Sequence, residues 1–298
     1  MKEIRPEPPN RTLKTKDMDF FLMKTVNWRA MAAHSHFHDA IEVIYMNRGS
    51  VSVSVNGAKT SIYPGDLALF HSRAIHTIWT EDEVDNNYYV LKILPDVLFR
   101  LCSEGRNDAF ALRFLISNPS LKTVWRGDEL KGTDVELGMK RLIESLDVKR
   151  RVDGISRTVS ALMVLNGLYQ SDKEAMKGLT VTAEALYSAL FYINGHFTEP
   201  ITEEQAAEKA NMSISSFSRV FKREMGQGFK DYLNGVRTSK ARTMLLGTRL
   251  SVREIAVACG YNNVSHFISV YKRYKGKTPL EERKSAAAIV PEQPMDEA

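Results

Sequence analysis

The chain has 298 residues, 43% of them apolar and 26% charged, with a formal net charge of +5. This is ordinary globular usage, which excludes wholesale disorder, and the length favours two domains over one. No stretch approaches about eighteen uninterrupted apolar residues and the start of the chain holds no apolar signal core, so neither a membrane span nor a membrane partner is expected. Cys102 and Cys259 lie far apart with no partner motif, as suits a cytoplasmic protein without a disulfide framework.

Residues 1–17 are polar and rich in Pro and charge, which predicts a flexible N-terminus. We read 18–95 as the next domain, with a strand-like pattern from about 34 to 95. Ile41–Met46 is an apolar, β-rich run, and Val51, Val53 and Val55 alternate with serines, the period-two mark of a half-buried strand. Asn56-Gly57 predicts a type I′ hairpin turn, because both residues tolerate positive φ. Tyr63-Pro64-Gly65-Asp66 predicts a second turn, after which Leu67–Phe70 resumes the sheet. Short strands with frequent turns predict a small β-barrel or sandwich.

This region also concentrates histidines, in the run HSHFHDAIEVIYMNRG over residues 34–49. In a strand, His34, His36 and His38 project to one face, and His76 can join them from a neighbouring strand. The spacing of His36, His38, Glu42 and Gly49 resembles the first motif of the cupin barrels. The Tyr63–Asp66 turn resembles part of the second, although Ser72 and Arg73 stand where that motif has Pro and Gly. The resemblance covers about residues 20–95 and implies an effector-binding barrel. Three readings of the histidines stand side by side. They hydrogen-bond a small polar effector such as a sugar, they pin the N-terminal strand, or His36, His38, Glu42 and His76 hold a divalent metal. The effector reading also takes in Tyr45 and Trp79, whose aromatic faces suit sugar rings and serve a core equally well. Phe37 and Phe70 lie nearby on the same terms.

After Pro95 the pattern turns helical, over 96–117 and 133–170, with Leu142, Ile143 and Leu146 and then Val159, Leu162 and Leu165 at helical spacing. We read 96–180 as a linker and dimerisation region. From Ala183 onward everything reads as helix, forming a domain over 183–286, and 287–298 reads as a flexible tail.

The C-terminal domain contains a duplication. SSFSRVFKREMG at 215–226 recurs as SHFISVYKRYKG at 265–276, so Ser215, Phe217, Val220, Lys222, Arg223 and Gly226 are matched 50 residues on. A shorter helix precedes each copy, opened by Thr202 with Gln205 and by Ser251 with Glu254, both at capping-box spacing. The turns that follow, Ala210-Asn211-Met212 and Cys259-Gly260-Tyr261, supply residues that tolerate the left-handed backbone. Each unit is therefore a helix-turn-helix. Phe217, Val220 and Phe221 share one face of the first long helix, and Phe267, Val270 and Tyr271 one face of the second. The opposite faces carry Ser215, Ser218, Arg219, Lys222 and Arg223, and Ser265, His266, Ser269, Lys272 and Arg273. Small polar side chains beside cations suit a major groove, where Ser and Arg reach base edges and Lys reaches phosphates. Residues 201–284 hold 16 Lys or Arg against 8 Asp or Glu, so the cationic excess sits in this domain. The connector Phe229–Leu246 reads as one long helix that holds the two units about 34 Å apart, one turn of B-DNA.

MSISSFSRVFKREMG, DYLNGVRTSKARTMLL, REIAVACGY and HFISVYKRYKGKTP together resemble the DNA-binding domain of the AraC/XylS family of transcription regulators, over about 185–284. The resemblance implies an α+β chain in which an N-terminal cupin-like barrel and a helical middle precede an all-α domain with two helix-turn-helix units. It implies double-stranded promoter DNA, a small-molecule effector, RNA polymerase and a second protomer as partners, no cofactor and no enzymatic activity. One departure is that Ser269 stands where the family often has an Arg, whereas the first unit keeps Arg219. Two alternatives are a regulator without an effector and a metal-dependent cupin enzyme, but the latter leaves the duplicated basic helices without a purpose.

Overall fold

The structure, a computed structural model, describes residues 5–6, 20–26, 35–38, 40–55, 57–72, 74–80, 86–101, 108–115, 121–146, 154–177 and 181–287. The expected α+β class is what is found. The strands are β1 (Arg5–Pro6), β2 (Phe20–Val26), β3 (His36–Phe37), β4 (Ile41–Arg48), β5 (Val51–Val55), β6 (Ala58–Ile62), β7 (Leu67–Phe70), β8 (His76–Trp79), β9 (Asn87–Ile93) and β10 (Val124–Trp125). They form two five-stranded sheets, β1-β3-β8-β5-β6 and β10-β7-β4-β9-β2. Among the described residues the two are not hydrogen-bonded to each other into a closed barrel. They share one apolar interior, in which Ile44, Met46, Phe70 and Val90 of the second sheet meet Val51, Val53, Ile62 and Ile78 of the first.

Strand parity explains why β4 reads as an unbroken apolar run. Its even positions face that interior, and its odd positions Ile41 and Val43 pack outward with Leu67, Leu69, Leu91 and Ile93 beneath the helices. Both expected turns lie where strands reverse. Gly57 has φ +90° between the paired Val55 and Ala58, while Asn56 lies outside the described residues. Asp66 donates its backbone N–H to the Tyr63 carbonyl across the second turn (2.8 Å).

The helical middle departs from its expected form in three ways. The 96–117 segment contains α1 (Pro95–Leu101) and α2 (Asp108–Leu115), with 102–107 outside the described residues. Beyond them a short strand, β10, joins the sheet beside β7 and is followed by α3 (Gly127–Leu130). The 133–170 segment is two helices, α4 (Asp134–Glu144) and α5 (Gly154–Lys177). Their apolar residues recur at the same spacing, so periodicity alone does not locate the break. They cross closely at two glycines. A Cβ on Gly138 would lie 2.7 Å from the Ser160 carbonyl oxygen, and one on Gly167 2.5 Å from Val135.

Between α2 and α5 sits a buried polar knot. Arg113 is fully buried, pairs with Asp172 (2.8 Å) and donates to the His71 Nε2 (2.7 Å) at the end of β7. Burial and the neighbouring Arg113 push the His71 pKa down to about 3, so the ring is neutral and accepts that bond.

The remaining elements are α6 (Val181–Gly195), α7 (Glu203–Lys209), α8 (Ile214–Met225), α9 (Phe229–Gly247), α10 (Val252–Ala258), α11 (Val264–Lys275) and α12 (Pro279–Ala287). Leu186, Tyr187, Leu190 and Ile193 of α6 belong to one buried cluster with Phe99 and Phe114 on one side and Ala206, Phe217 and Phe221 on the other. The outer face of the second sheet and the first helix-turn-helix therefore share a continuous core. The second unit has its own, built from Ala241, Leu245, Ile255, Phe267 and Tyr271. Cys259 is buried there as a free thiol, and burial raises its pKa to about 11. Among the described residues no helix is long and apolar enough to cross a membrane.

Candidate functional site

Local sequence builds the two helix-turn-helix units. Thr202 accepts from the Gln205 backbone N–H (3.2 Å) while the Gln205 side chain accepts from the Thr202 N–H (2.9 Å). Ser251 and Glu254 repeat the exchange at 2.7 and 3.2 Å. Each reciprocal pair satisfies two donors that a helix start would leave orphaned. The turns need a left-handed residue, and Asn211 (φ +51°) and Gly260 (φ +79°) supply it. Both long helices span 12 residues and end on a left-handed glycine, Gly226 and Gly276.

The burial of these helices divides them. Phe217, Phe221 and Met225 are buried on α8, and Phe267 and Tyr271 on α11, while Val220 and Val270 are half-buried. Each fully buried aromatic contributes about 1.5–3 kcal/mol. Ser215, Ser218, Arg219, Lys222 and Arg223 are all exposed on α8, as are Ser265, His266, Ser269, Lys272 and Arg273 on α11. Arg223 pairs with Glu224 (2.6 Å), and Arg273 lies 3.6 Å from Asp231. Such exposed pairs are worth little and exchange readily for phosphate.

Arg219→Ala is expected to cost about 1–3 kcal/mol on a preferred duplex and to relax preference at one or two bases, whereas Lys222→Ala weakens all duplexes alike. Because Ser269 stands where an Arg would reach further, base changes beneath α8 should cost more than those beneath α11. Titration of both variants against a set of single-base-pair changes reads this directly. A uniform loss from Arg219→Ala would show that its side chain does not face the bases.

The second site is the polar cluster between the sheets. His36 of β3 is in register with His76 of β8. Glu42 of β4 is flanked in register by Phe70 and Lys92. The His38 Nε2 lies 2.5 Å from the Glu42 Oε2, the Lys92 Nζ 3.1 Å and the His76 Nε2 3.9 Å. Burial would raise the Glu42 pKa, but Lys92, His38 and His76 together hold it well below the usual carboxylate range. The His38 Nδ1 lies 2.9 Å from the Ala40 carbonyl oxygen, and its Nε2 faces the carboxylate.

His76 is the opposite case to Glu42. Its Nδ1 donates to the Ala74 carbonyl (2.8 Å), and burial lowers its pKa to about 4, leaving a neutral ring. Its buried Nε2 has no hydrogen-bond partner among the described residues, so a lone pair points into the cluster. The Phe70 ring stacks on the same imidazole, with centroids 4.3 Å apart. Side by side the cluster offers a cationic donor, an anion and a bare acceptor, a set that can hold a polar molecule through both its donors and its acceptors.

His36, His38, Glu42 and His76 are thus brought together, and Tyr45 and Trp79 are not. Tyr45 is three residues from Glu42 in a strand and so faces the helices, where it packs against the outer core. Trp79 is three residues from His76 and lies on the outer face of its sheet beneath Lys59 (5.6 Å). His34 lies outside the described residues. Sequence reasoning missed Lys92, although a lone Lys in the apolar run Tyr88–Ile93, at the parity of Val90, is a readable signal. Ligand nitrogens of His36, His38 and His76 lie within 4.8 Å of one another, so these three could hold a metal, whereas Glu42 is engaged by His38 and Lys92.

The comparisons with known proteins follow this division. Residues 27–154 match a family model described as an AraC-like ligand binding domain, and residues 206–285 one described as a helix-turn-helix domain. The chain is 31% identical over 264 residues to the HTH-type transcriptional activator RhaS of Salmonella paratyphi B, covering 86% of this chain and 89% of that one. It is 33% identical over 186 residues to the Xylose operon regulatory protein of Escherichia coli, covering 62% of this chain and 44% of the relative. Among solved structures, ToxT from Vibrio cholerae superposes with a TM-score of 0.52 at 11% identity, covering 91% and 99% of the two chains, a likeness of fold.

Proposed function

The chain belongs to the AraC family of transcription regulators, with a ligand-binding domain ahead of a DNA-binding one, and on that premise we propose that a small polar effector, a sugar being the leading class, binds at His36, His38, Glu42, His76 and Lys92. The carrying observation is the unpartnered, buried His76 Nε2 beside an ion-paired carboxylate, an arrangement suited to paired hydroxyl groups. A relative whose name ties it to a xylose operon supports the sugar class.

The effector acts through different affinities for two states of the protein. The shared core through α6 is the physical link between its site and the first helix-turn-helix. The protein works as a homodimer that contacts RNA polymerase at promoters. Ile155 and Val159, exposed one turn apart on α5, support that helix as a meeting surface for two protomers.

Thermal-shift screening against sugars tests the effector. A ligand at about 100-fold over its Kd should stabilise the chain by about 2.7 kcal/mol. Glu42→Gln should abolish that shift and the reporter response while leaving duplex affinity of the unliganded chain unchanged. A folded Glu42→Gln protein with a normal effector response would remove the cluster from the mechanism, and the absence of any binding small molecule would favour a regulator without an effector. A second reading, a divalent metal on His36, His38 and His76, is favoured by their proximity alone, and metal analysis of the purified protein separates the two.

A further inference from the structure

The connector helix α9 packs against α8, α10 and α11. Its last turns, through Ala241 and Leu245, share the core of the second unit, and its first turns, through Phe229, Tyr232 and Leu233, share that of the first, so this one helix carries both units. A second attachment exists on the other side. Arg237, midway along α9, donates from Nε to the Phe197 carbonyl and from Nη2 to the Glu199 carbonyl, each at 2.7 Å. Both carbonyls lie in the segment that leaves α6 and leads to Thr202, the cap of the first helix-turn-helix.

The same guanidinium lies over the ring of Tyr261, 5.4 Å from its centroid, in the turn of the second helix-turn-helix. The Tyr261 hydroxyl donates back to Asn234 of α9 (3.1 Å). Beside it, Gly260 approaches so closely that a Cβ would lie 2.7 Å from the Thr198 carbonyl oxygen and 3.0 Å from Arg237. Lys240, one turn on from Arg237, lies over the Phe197 ring (5.5 Å).

We propose that Arg237 is a positioning residue for DNA recognition: it ties the turn of the second helix-turn-helix to the segment entering the first, and so sets the spacing at which the two recognition helices meet the duplex. Its own guanidinium is committed to two carbonyls and a ring, and it is absent from the exposed faces of α8 and α11. A rigid pair of recognition helices reads two groove segments only at one separation. One added base pair moves the second segment by about 3.4 Å and rotates it about the axis.

The experiment uses the full chain and a duplex selected by the wild-type protein from a random-sequence pool. Companion duplexes carry one base pair more or less between the two footprinted half-segments, or the first half-segment alone. The wild-type chain should lose about tenfold or more in affinity for either altered spacing. Arg237→Ala should bind the selected duplex about tenfold more weakly and distinguish the three spacings by about threefold or less, because the coupling between the units is lost. Its affinity for the first half-segment alone should equal the wild type's. Gly260→Ala, which leaves every exposed recognition residue in place, should flatten the spacing preference in the same way, and Arg237→Lys, with one donor group, should retain part of it. A cooperatively melting Arg237→Ala protein that keeps the wild-type spacing preference overturns the proposal. So does an equal loss on every duplex, the first half-segment included, since that marks Arg237 as serving the fold alone. If Arg237→Ala does not melt cooperatively, Arg237→Lys and Gly260→Ala decide by the same criterion.

Discussion

Affinity of the full chain for its preferred duplex is expected to fall roughly 10³-fold as salt rises from about 50 to about 200 mM, with a slope of log affinity against log salt near −5. The expectation follows from which cations are exposed. Apart from Arg219, which faces the bases, Lys222 and Arg223 on α8 and Lys272 and Arg273 on α11 all reach solvent, and Lys230 at the start of α9 and Arg253 on α10 are exposed as well. If about six of them each neutralise one phosphate, each releases a condensed counterion and adds about 0.9 to the slope. Glu224 and Asp231 compete for Arg223 and Arg273 from the surface, where water and salt already weaken them. Filter binding or fluorescence anisotropy across a salt series measures the slope, and Lys222→Ala should reduce it by about 0.9. A slope near zero in a folded chain would mean that these faces do not meet the duplex backbone.

Acid is expected to unfold the ligand-binding half of the molecule, with the loss beginning below about pH 6.5. His71 and His76 are held neutral by burial, with pKa values pushed down to about 3 and about 4. In the unfolded chain both rings take up protons near pH 6.5, the ordinary imidazole value. The sign follows: above that value both states are neutral at these rings and the histidines impose no penalty. As pH falls from about 6.5 toward about 4 the unfolded state alone binds the two protons, so stability drops by up to about 2.7 kcal/mol per pH unit. Glu42 adds to the loss at lower pH, because its depressed pKa means that the folded state needs the carboxylate. Urea titrations at a series of pH values, followed by circular dichroism, give the curve. His71→Gln should roughly halve the slope between pH 6.5 and 4, less whatever its lost bond to Arg113 costs at every pH. A stability that stays flat from pH 6.5 to 5 would show that neither ring is held neutral by the fold.

Much of the DNA-binding half was legible in the chain itself. The capping boxes at Thr202 and Ser251 and the left-handed turns at Asn211 and Gly260 are made by residues no more than a few positions apart, and the duplication states each unit twice. Amphipathic spacing then assigned the buried and exposed faces of α8 and α11, because one helix period relates neighbours along the sequence. In the ligand-binding half the same short-range logic went part of the way. Parity put His36 and His38 on one face, and the same parity, applied from Glu42 and His76, would have turned Tyr45 and Trp79 away.

What the sequence by itself determined is therefore the local grammar: two helix-turn-helix units, their caps and turns, the strands around residues 41–70, and a histidine-rich edge. Only the tertiary structure decided which distant residues meet. Lys92 reaches Glu42 through the β4–β9 register, 50 residues away. Arg113 finds His71 and Asp172 across two helices and a strand end. The 133–170 segment folds back on itself where Gly138 and Gly167 let two helices touch. Arg237 closes on Phe197 and Glu199 from 40 and 38 residues further along the chain. Each of these contacts depends on register, crossing angle and the path of intervening segments. Those are fixed by the packing of the whole core, and no pattern of adjacent residues encodes them.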